Sequence, residues 1–513
     1  MEMTRSQCGR RRGQALVLAA LSMLLLALMI ALSFNLSHAL HEKMRLQQHS
    51  DALAYSMGVV EARAFNYFAS SNRAIAASLV AMNTLHADMA AASVTVAMMK
   101  AAQDNFYVIA GEETLICIAE RNPTHCVHAA QAIEKAGKFG QAARKYARKV
   151  KGVEGSFRLS VQSLDAMIDV IHASQLDVLK DAVEVVRAGT ADSLSKLKQS
   201  NAPEATDVAS AVGALNMNAL NCAIDGSPLP CIGGSGPGNT SKEVHGELMT
   251  SIANASRPDW PAHRGSFASI PLYLDPRFLN DLMHKIQGKG VSTPIGHKGT
   301  AKTVESKSQG QLHAGQSASD TGKVSGADEH GELLSQYRDG VSVWAYKAEI
   351  YSDKNGGKHT PTDGHSGQHK FQGVNSSGAP CLGSGNCFMK FRADSSKDHD
   401  FGQPAVYSVL KMKLRAGDVK KAPWELNDGA KVSITGPDGE EGTLHLAAEE
   451  GSSLSKALVY FHRIGAWKDP PNFFEPYWRV KLHPFTQTEV VKVLTLSGQS
   501  DAAILANAPG LSF

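Results

Sequence analysis

The residues best suited to chemistry in this chain are its cysteines. Six of the seven form three pairs that lie close in sequence: Cys117 with Cys126, Cys222 with Cys231, and Cys381 with Cys387. Such local pairs are typical of disulfides in an oxidising compartment, where one bridge stabilises a fold by about 2 to 3 kcal/mol. We therefore predict three local disulfides, which is one of the fifteen connectivities that six cysteines allow. Cys8 stands apart near the N-terminus and is expected to stay reduced.

Histidines beside one of these cysteines raise the alternative of a metal site. His125 and His128 flank Cys126, and imidazole with thiolate is a common set of zinc ligands. The cysteines of the three pairs are separated by eight or five residues, and not by the shorter spacing that is typical of structural zinc sites. Further histidines lie in a glycine-rich region without regular spacing: His297, His313, His330, His359, His365 and His369. We predict no metal site and no cofactor.

The sequence contains none of the common catalytic signatures. It lacks the G-x-S-x-G nucleophile elbow, the H-E-x-x-H zinc motif, the phosphate-binding P-loop and the dinucleotide-binding glycine pattern. Its 52 basic and 49 acidic residues give a net charge of +3, far from the excess that is typical of nucleic-acid-binding proteins. We therefore predict no catalytic residues and no nucleic-acid partner.

One apolar segment, 14–36, dominates the N-terminal part of the chain. It follows three arginines, Arg10, Arg11 and Arg12, and contains no charged side chain. As a helix it would cover about 30 Å, the thickness of a bilayer's hydrocarbon core, with the arginines kept in the cytoplasm. We predict a single transmembrane helix after a cytoplasmic leader at 1–13, with membrane lipid around it and the bulk of the chain exported. The alternative is a cleaved secretory signal, because Ser37 and Ala39 supply small residues at a suitable spacing.

Residues on both sides of this segment follow a recognisable pattern. Gly13 precedes it, and a Leu-Gln…Asp-Ala-x-Ala pattern follows at Leu46, Gln47, Asp51, Ala52 and Ala54. The arrangement resembles the N-terminal segment of TadE/TadG-like proteins of the Flp (Tad) type IV pilus assembly system. Processed members of that family carry Glu where this chain has Leu18, so the resemblance is to the unprocessed, TadG-like branch. It implies an inner-membrane protein of bacteria whose partners are pilus or secretion apparatus proteins.

Three further segments resemble the same exported family. They are the alanine- and asparagine-rich stretch 62–74 and two C-terminal segments, 400–404 and 470–479. The C-terminal likeness is less specific than the N-terminal one.

Residues 37–220 are predicted as an exported helical region, a bundle or a hairpin. Up to about Gly111 this region is rich in Ala, Met and Leu and contains no proline, which favours helix. Apolar residues recur there at steps of three and four. They are candidates for helix packing: Leu53, Met57, Val60, Ala64, Phe65 and Phe68. This stripe could pack against pilin-like helices or against the chain's own second helical region.

The C-terminal part of the sequence changes character. Residues 221–335 are rich in Gly, Ser, Pro and His and are predicted as a loop-rich, flexible segment. In 336–513, polar and apolar residues alternate around 343–350, 410–415 and 478–483, which predicts strands of an antiparallel sheet or small sandwich. The fold class predicted for the chain is therefore α+β: a transmembrane helix, a helical bundle or hairpin, a flexible segment and a β-rich domain.

These observations favour a non-enzymatic function. We expect a membrane-anchored structural or assembly component of a Flp/Tad-type pilus or related secretion apparatus, with an oligomeric state that the sequence leaves open. The alternative is an exported enzyme or adhesin without a recognisable motif.

Overall fold

The fold is given by a computed structural model of the chain. It describes 7–188, short segments between 195 and 232, strands between 295 and 368, and 388–507 with gaps at 393–396, 414–430, 436–438, 440, 446–449 and 466–468. Two compact units emerge. Unit 1 comprises Met1–Ser70, Leu176–Gly238 and Lys390–Phe513, and unit 2 comprises Ser71–Gln175 and Asn239–Met389.

The described residues are mostly helical, with small, mainly antiparallel sheets. The helices are α1 (Gln7–Glu120), α2 (Pro123–Ala188), α3 (Ala209–Ala223), α4 (Gln487–Leu496) and α5 (Ser500–Ala506). The strands are β1 (Ala205–Asp207), β2 (Ile224–Asp225), β3 (Ile295–Ala301), β4 (Gln311–Leu312), β5 (Lys323–Val324), β6 (Asp328–Arg338), β7 (Val343–Asp353), β8 (Lys358–His359), β9 (Gly367–Gln368), β10 (Lys390–Phe391), β11 (Ala405–Lys413), β12 (Lys431–Thr435), β13 (Glu441–His445), β14 (Glu450–Phe461) and β15 (Trp478–Leu482). A 3₁₀ helix covers Lys397–Gly402.

The boundary between α1 and α2 follows from local chemistry. No proline precedes Pro123, so nothing interrupts the long first helix. Arg121 has a left-handed backbone, with φ of 50°, and turns the chain. The Asn122 side chain then accepts a hydrogen bond from the Thr124 backbone N–H at 3.0 Å, as an N-cap does. Pro123 occupies the first helical turn, where its missing N–H costs nothing.

The N-terminal part of α1 corrects a prediction. Within the described residues, no helix combines the length and the apolar character needed to cross a bilayer. The transmembrane helix predicted at 14–36 is therefore wrong. The single-pass topology and inner-membrane localisation that rested on it are wrong as well.

A four-stranded antiparallel sheet forms the centre of unit 1, in the order β1-β11-β14-β15. In its middle pair, Tyr407 lies opposite Lys456 and Ser408 lies opposite Ser455. Because side chains alternate along a strand, the tyrosine and lysine share one face of the sheet and the two serines share the other. The strands predicted at 410–415 and 478–483 overlap β11 and β15, and the strand predicted at 343–350 lies within β7.

Each face of this sheet is covered by helices of unit 1. On the tyrosine face, Val212 of α3 and Val493 of α4 form a buried apolar cluster with Tyr407 and Val409. Residues of α5 extend the apolar packing of α4. On the serine face lies α1, whose contacts are described below. The core of unit 1 is therefore a sheet between two helical layers.

Unit 2 contains a helical hairpin built from the second part of α1 and the first part of α2. Phe106 and Phe139 stack in its core, with ring centroids 5.7 Å apart. At the other end, the Gln175 amide donates to the Ser71 hydroxyl at 2.7 Å and to Asn72 Oδ1 at 2.8 Å. Unit 2 also contains an antiparallel sheet in the order β3-β6-β7. The strands β2 to β5 and most of β6 fall within the segment 221–335, which was predicted as loop-rich and flexible.

Candidate functional site

The pattern residues Gln47 and Asp51 bind the sheet of unit 1. They are four residues apart and so lie on one face of α1. The Gln47 amide donates to the Leu454 carbonyl oxygen at 3.0 Å and accepts from the Ser453 hydroxyl at 2.7 Å. The Ser455 hydroxyl donates to Asp51 Oδ1 at 2.5 Å. These bonds fix the register of α1 on β14.

A glycine allows the close approach of helix and sheet. A Cβ atom added at Gly58 would lie 2.9 Å from Val480 Cγ1 and 3.5 Å from the Ala457 Cβ. The first distance is shorter than a normal contact between carbon atoms. A larger residue at Gly58 would therefore push α1 away from β14 and β15.

Asn66 holds the edge strand of the sheet. Its side chain donates to the Trp478 carbonyl oxygen at 3.0 Å and accepts from the Trp478 backbone N–H at 3.0 Å. Asn216 of α3 does the same for the Tyr407 backbone, with bonds of 2.9 Å in each direction. Exposed strand edges invite pairing with other chains, and each amide takes the place of a neighbouring strand.

An aromatic cluster completes the contact between α1 and the C-terminal segment. Phe65 lies 4.9 Å from Phe473 and 4.8 Å from Trp478, measured between ring centroids. Phe68 lies 5.6 Å from Phe473, and Phe391 lies 4.8 Å from Trp478. The Trp478 indole N–H donates to the Asn472 carbonyl oxygen at 2.9 Å, which satisfies its one polar group.

The helix-packing candidates therefore lie inside unit 1. Val60 is half-buried, and the other five are buried in the chain's own fold: Leu53, Met57, Ala64, Phe65 and Phe68. The partner of the aromatic part of this stripe is the C-terminal segment 470–479, and neither alternative considered from the sequence named it.

The segments that carry the family resemblance meet in this unit. Gln403, from the segment 400–404, accepts a hydrogen bond from the Phe461 backbone N–H at 2.7 Å. The Pro404 carbonyl oxygen accepts from the Val459 backbone N–H at 3.0 Å. Together with the contacts of Gln47 and Phe473, this brings the N-terminal and C-terminal segments onto one sheet.

The first part of α1 is exposed, in contrast to the buried helix-packing residues that follow it. All side chains of 15–30 are exposed in the described structure. Leu16, Met23 and Ile30 expose 74%, 77% and 62% of their surface. Large exposed apolar surfaces usually mark interaction sites, so this stretch is a candidate for contact with another molecule.

An ion pair between a buried lysine and a partly exposed glutamate fastens α4 to the sheet. The Lys456 ammonium donates to both carboxylate oxygens of Glu489, at 2.7 and 2.9 Å, and the Tyr407 hydroxyl donates to the same carboxylate at 2.8 Å. Burial alone would raise the pKa of Glu489, but hydrogen bonds from Lys456, the Thr486 backbone and Tyr407 outweigh it and lower that pKa. Burial and the Glu489 carboxylate raise the pKa of Tyr407. Glu489 therefore stays ionised, and the cluster is structural.

Two of the predicted disulfide pairs lie in the described structure. Cys117 is bonded to Cys126, with Cα atoms 5.3 Å apart, and Cys222 is bonded to Cys231, with Cα atoms 4.8 Å apart. The first bridge joins the last turns of α1 to the start of α2. The pair Cys381 and Cys387 lies outside the described residues, and the side chain of Cys8 is not described either.

One group of side chains in the described structure could hold a metal ion. Glu113, His125 and His128 place one ligand atom each within 4.8 Å of the others. Sequence reasoning noted the two histidines but missed Glu113. The signal was present: a His-x-x-His pair opens α2, and a turn of two residues brings the acidic last turns of α1 opposite it. The histidine-rich zone from His297 to His369 lies outside the described side chains.

Comparisons with known proteins add no relative. No family model matches the chain, and neither a curated protein nor a solved structure matches it. The contacts within the molecule therefore carry the functional interpretation.

Proposed function

We propose that this chain is a structural or assembly component of a Flp/Tad-type pilus or of a related secretion apparatus, and that it acts by helix packing. The observation that carries the proposal is the apolar stretch 15–30 of α1, which the described residues leave exposed on every side. A helix that is apolar all round is normally buried. Helices of partner proteins would provide that burial.

The arrangement of unit 1 supports this role. Gln47, Asp51 and Asn66 fasten the following part of α1 to the sheet. An apolar helix that continues from a fastened segment loses less conformational freedom when it binds than a free one, and such preorganisation favours affinity. The same side chains belong to the segments that resemble the Tad family, which is why we name this class of apparatus.

The disulfides support an oxidising environment for the assembled protein. In each described bridge, the two bonded cysteines are nine residues apart in the sequence. Bonds of this kind persist outside the reducing cytoplasm. A pilus or secretion apparatus that extends beyond the cytoplasm meets this condition.

Site-specific cross-linking tests the proposal. A photo-cross-linking amino acid at Met23 should capture pilus or secretion apparatus proteins in cells that assemble the apparatus. The matched control is Leu159 of α2, which is an apolar helix residue of comparable exposure, at 66% against 77%. We expect capture from Met23 and none from Leu159. Equal capture from both positions would contradict the assignment of 15–30 as the contact surface.

A loss-of-function experiment complements the cross-linking. Met23→Glu combined with Leu26→Glu places two charges on one face of the stretch, and we expect loss of surface pili because a buried charge disrupts helix packing. Leu159→Glu should leave piliation unchanged. Normal piliation in the double variant would favour the alternative of an exported enzyme or adhesin.

A further inference from the structure

The tip of the hairpin in unit 2 brings three metal-binding side chains together. His125 Nδ1 lies 2.7 Å from Glu113 Oε2, and His128 Nδ1 lies 3.8 Å from the same oxygen. The Glu113 side chain is 2% exposed, whereas the two histidines are 12% and 15% exposed. The carboxylate is therefore at the bottom of the group and the imidazoles are nearer to the surface, which leaves a path for an ion.

The fold holds these three side chains in place from two helices. His125 and His128 are three residues apart in the first turns of α2, and so lie on one face of that helix. Glu113 lies four residues before Cys117 on α1, and Cys117 is bonded to Cys126 beside His125. The disulfide thus fixes the separation of the two helices at the level of the three side chains. A metal ion would meet a group that is already assembled.

The donor atoms suit a borderline divalent ion. Two imidazole nitrogens and one carboxylate oxygen are a known ligand set for zinc, and imidazole also suits copper and nickel. In a tetrahedral zinc site with bonds of about 2.0 to 2.1 Å, ligand atoms lie about 3.3 Å apart. The present atoms lie within 4.8 Å of one another, so small rotations of the side chains would bring them to that spacing. The cysteines take no part, because both are bonded to each other.

A second carboxylate lies near the other ring nitrogen of His125. His125 Nε2 lies 3.8 Å from Glu120 Oε2, on the last residue of α1. Metal-binding histidines usually donate their other ring N–H to a carboxylate, which orients the ring and strengthens it as a ligand. The Glu120 side chain is 63% exposed, and a small rotation would let it accept that N–H when the Nδ1 atom binds a metal.

From this geometry we propose that Glu113, His125 and His128 form a binding site for a zinc ion or a similar divalent transition metal. Three protein ligands leave the fourth tetrahedral position open to water or to a ligand from another molecule. The site is separate from the proposed assembly surface at 15–30 and does not depend on it. Metal binding there would cross-link α1 and α2 next to the disulfide.

Zinc titration of the full chain with its disulfides intact tests the site. Calorimetry with zinc chloride should show that the unaltered chain binds one zinc ion. His128→Ala should lower the affinity for this ion by at least about tenfold, and Glu120→Gln should lower it by about tenfold. His172→Ala is the matched control, because His172 also lies on α2 in unit 2 and contacts Gln175. It should bind zinc as the unaltered chain does. Equal affinity and stoichiometry of the His128→Ala variant and the unaltered chain would overturn the proposal.

The other histidines of the chain require a second measurement. A variant with all six histidines of the histidine-rich region replaced by Ala should keep the tight zinc ion, and loss of that ion would assign the binding to this region instead. The six are His297, His313, His330, His359, His365 and His369. In the unaltered chain, zinc should protect His125 and His128, but not His172, from diethyl pyrocarbonate, as mapped by mass spectrometry. This readout needs no substitution and therefore does not depend on the folding of a variant. Equal modification of all three histidines with and without zinc would also count against the site.

Discussion

Glu61 is a carboxyl group enclosed in unit 1. Its side chain lies on α1 between Gly58 and Phe65 and is 1% exposed, and in the described structure its Oε1 atom has no hydrogen-bond partner. Burial raises the pKa of Glu61 from its ordinary 4.5 to about 8. The folded state therefore holds this proton more tightly than the unfolded chain does. It follows that the contribution of Glu61 to the free energy of unfolding is most favourable below pH 4.5 and decreases as the pH rises towards 8.

Replacement of Glu61 by a neutral side chain should remove this pH dependence. At pH 8, we expect Glu61→Met to raise the free energy of unfolding by about 2 to 4 kcal/mol, because no charge is then left in the core. At pH 4.5 the variant should differ little from the unaltered chain. Denaturant unfolding at both pH values measures the difference, with the exposed Glu184→Met as control. A stability gain that is equal at the two pH values would show that packing, and not ionisation, is responsible.

At the scale of elements, the sequence predicted the type of secondary structure better than it predicted which elements pack together. A long stretch without proline predicted helix up to Gly111, and alternation around 410 and 478 predicted β11 and β15. The pairing of α1 with the C-terminal sheet was not predictable in this way. Gln47 and Ser453 are separated by about four hundred residues, and local periodicity carries no information on contacts of such range. Glu113 was missed for a related reason. Its position near the two histidines depends on the turn that brings α2 back alongside α1.

Substitution of Asn66 measures how much the contact between α1 and the sheet contributes to the free energy of unfolding. Its amide makes two hydrogen bonds to the backbone of Trp478, so Asn66→Ala leaves a donor and an acceptor of β15 without those partners. We expect a loss of about 2 kcal/mol in the free energy of unfolding. Ser70→Ala is the control, because the exposed Ser70 hydroxyl bonds only to the Asn66 carbonyl oxygen of its own helix among the described contacts. Similar losses of stability in both variants would mean that general effects on the helix account for the change, and not the two hydrogen bonds from Asn66 to β15.

At the scale of the whole molecule, unit 1 is assembled from distant parts of the chain. Its segments Met1–Ser70, Leu176–Gly238 and Lys390–Phe513 are separated by the residues of unit 2. Contacts between them, such as those of Asn216 with β11 and of Phe65 with Phe473, are therefore all long-range. A unit built in this way has few local contacts that could stay formed alone, which favours cooperative unfolding.

Phe473 is the residue with which to test this cooperativity. Its ring is 1% exposed and contacts Phe65, Phe68, Phe391 and Trp478, so Phe473→Ala should cost about 3 to 5 kcal/mol. Hydrogen exchange should then accelerate together in 47–70, 405–413 and 450–461, while 106–139 in unit 2 keeps its rate. The control is Phe401→Ala, because Phe401 is a phenylalanine of the same unit that is 41% exposed. If acceleration in the Phe473 variant stays confined to 469–482, the C-terminal segment is a local addition to α1, and the cooperative unit does not exist.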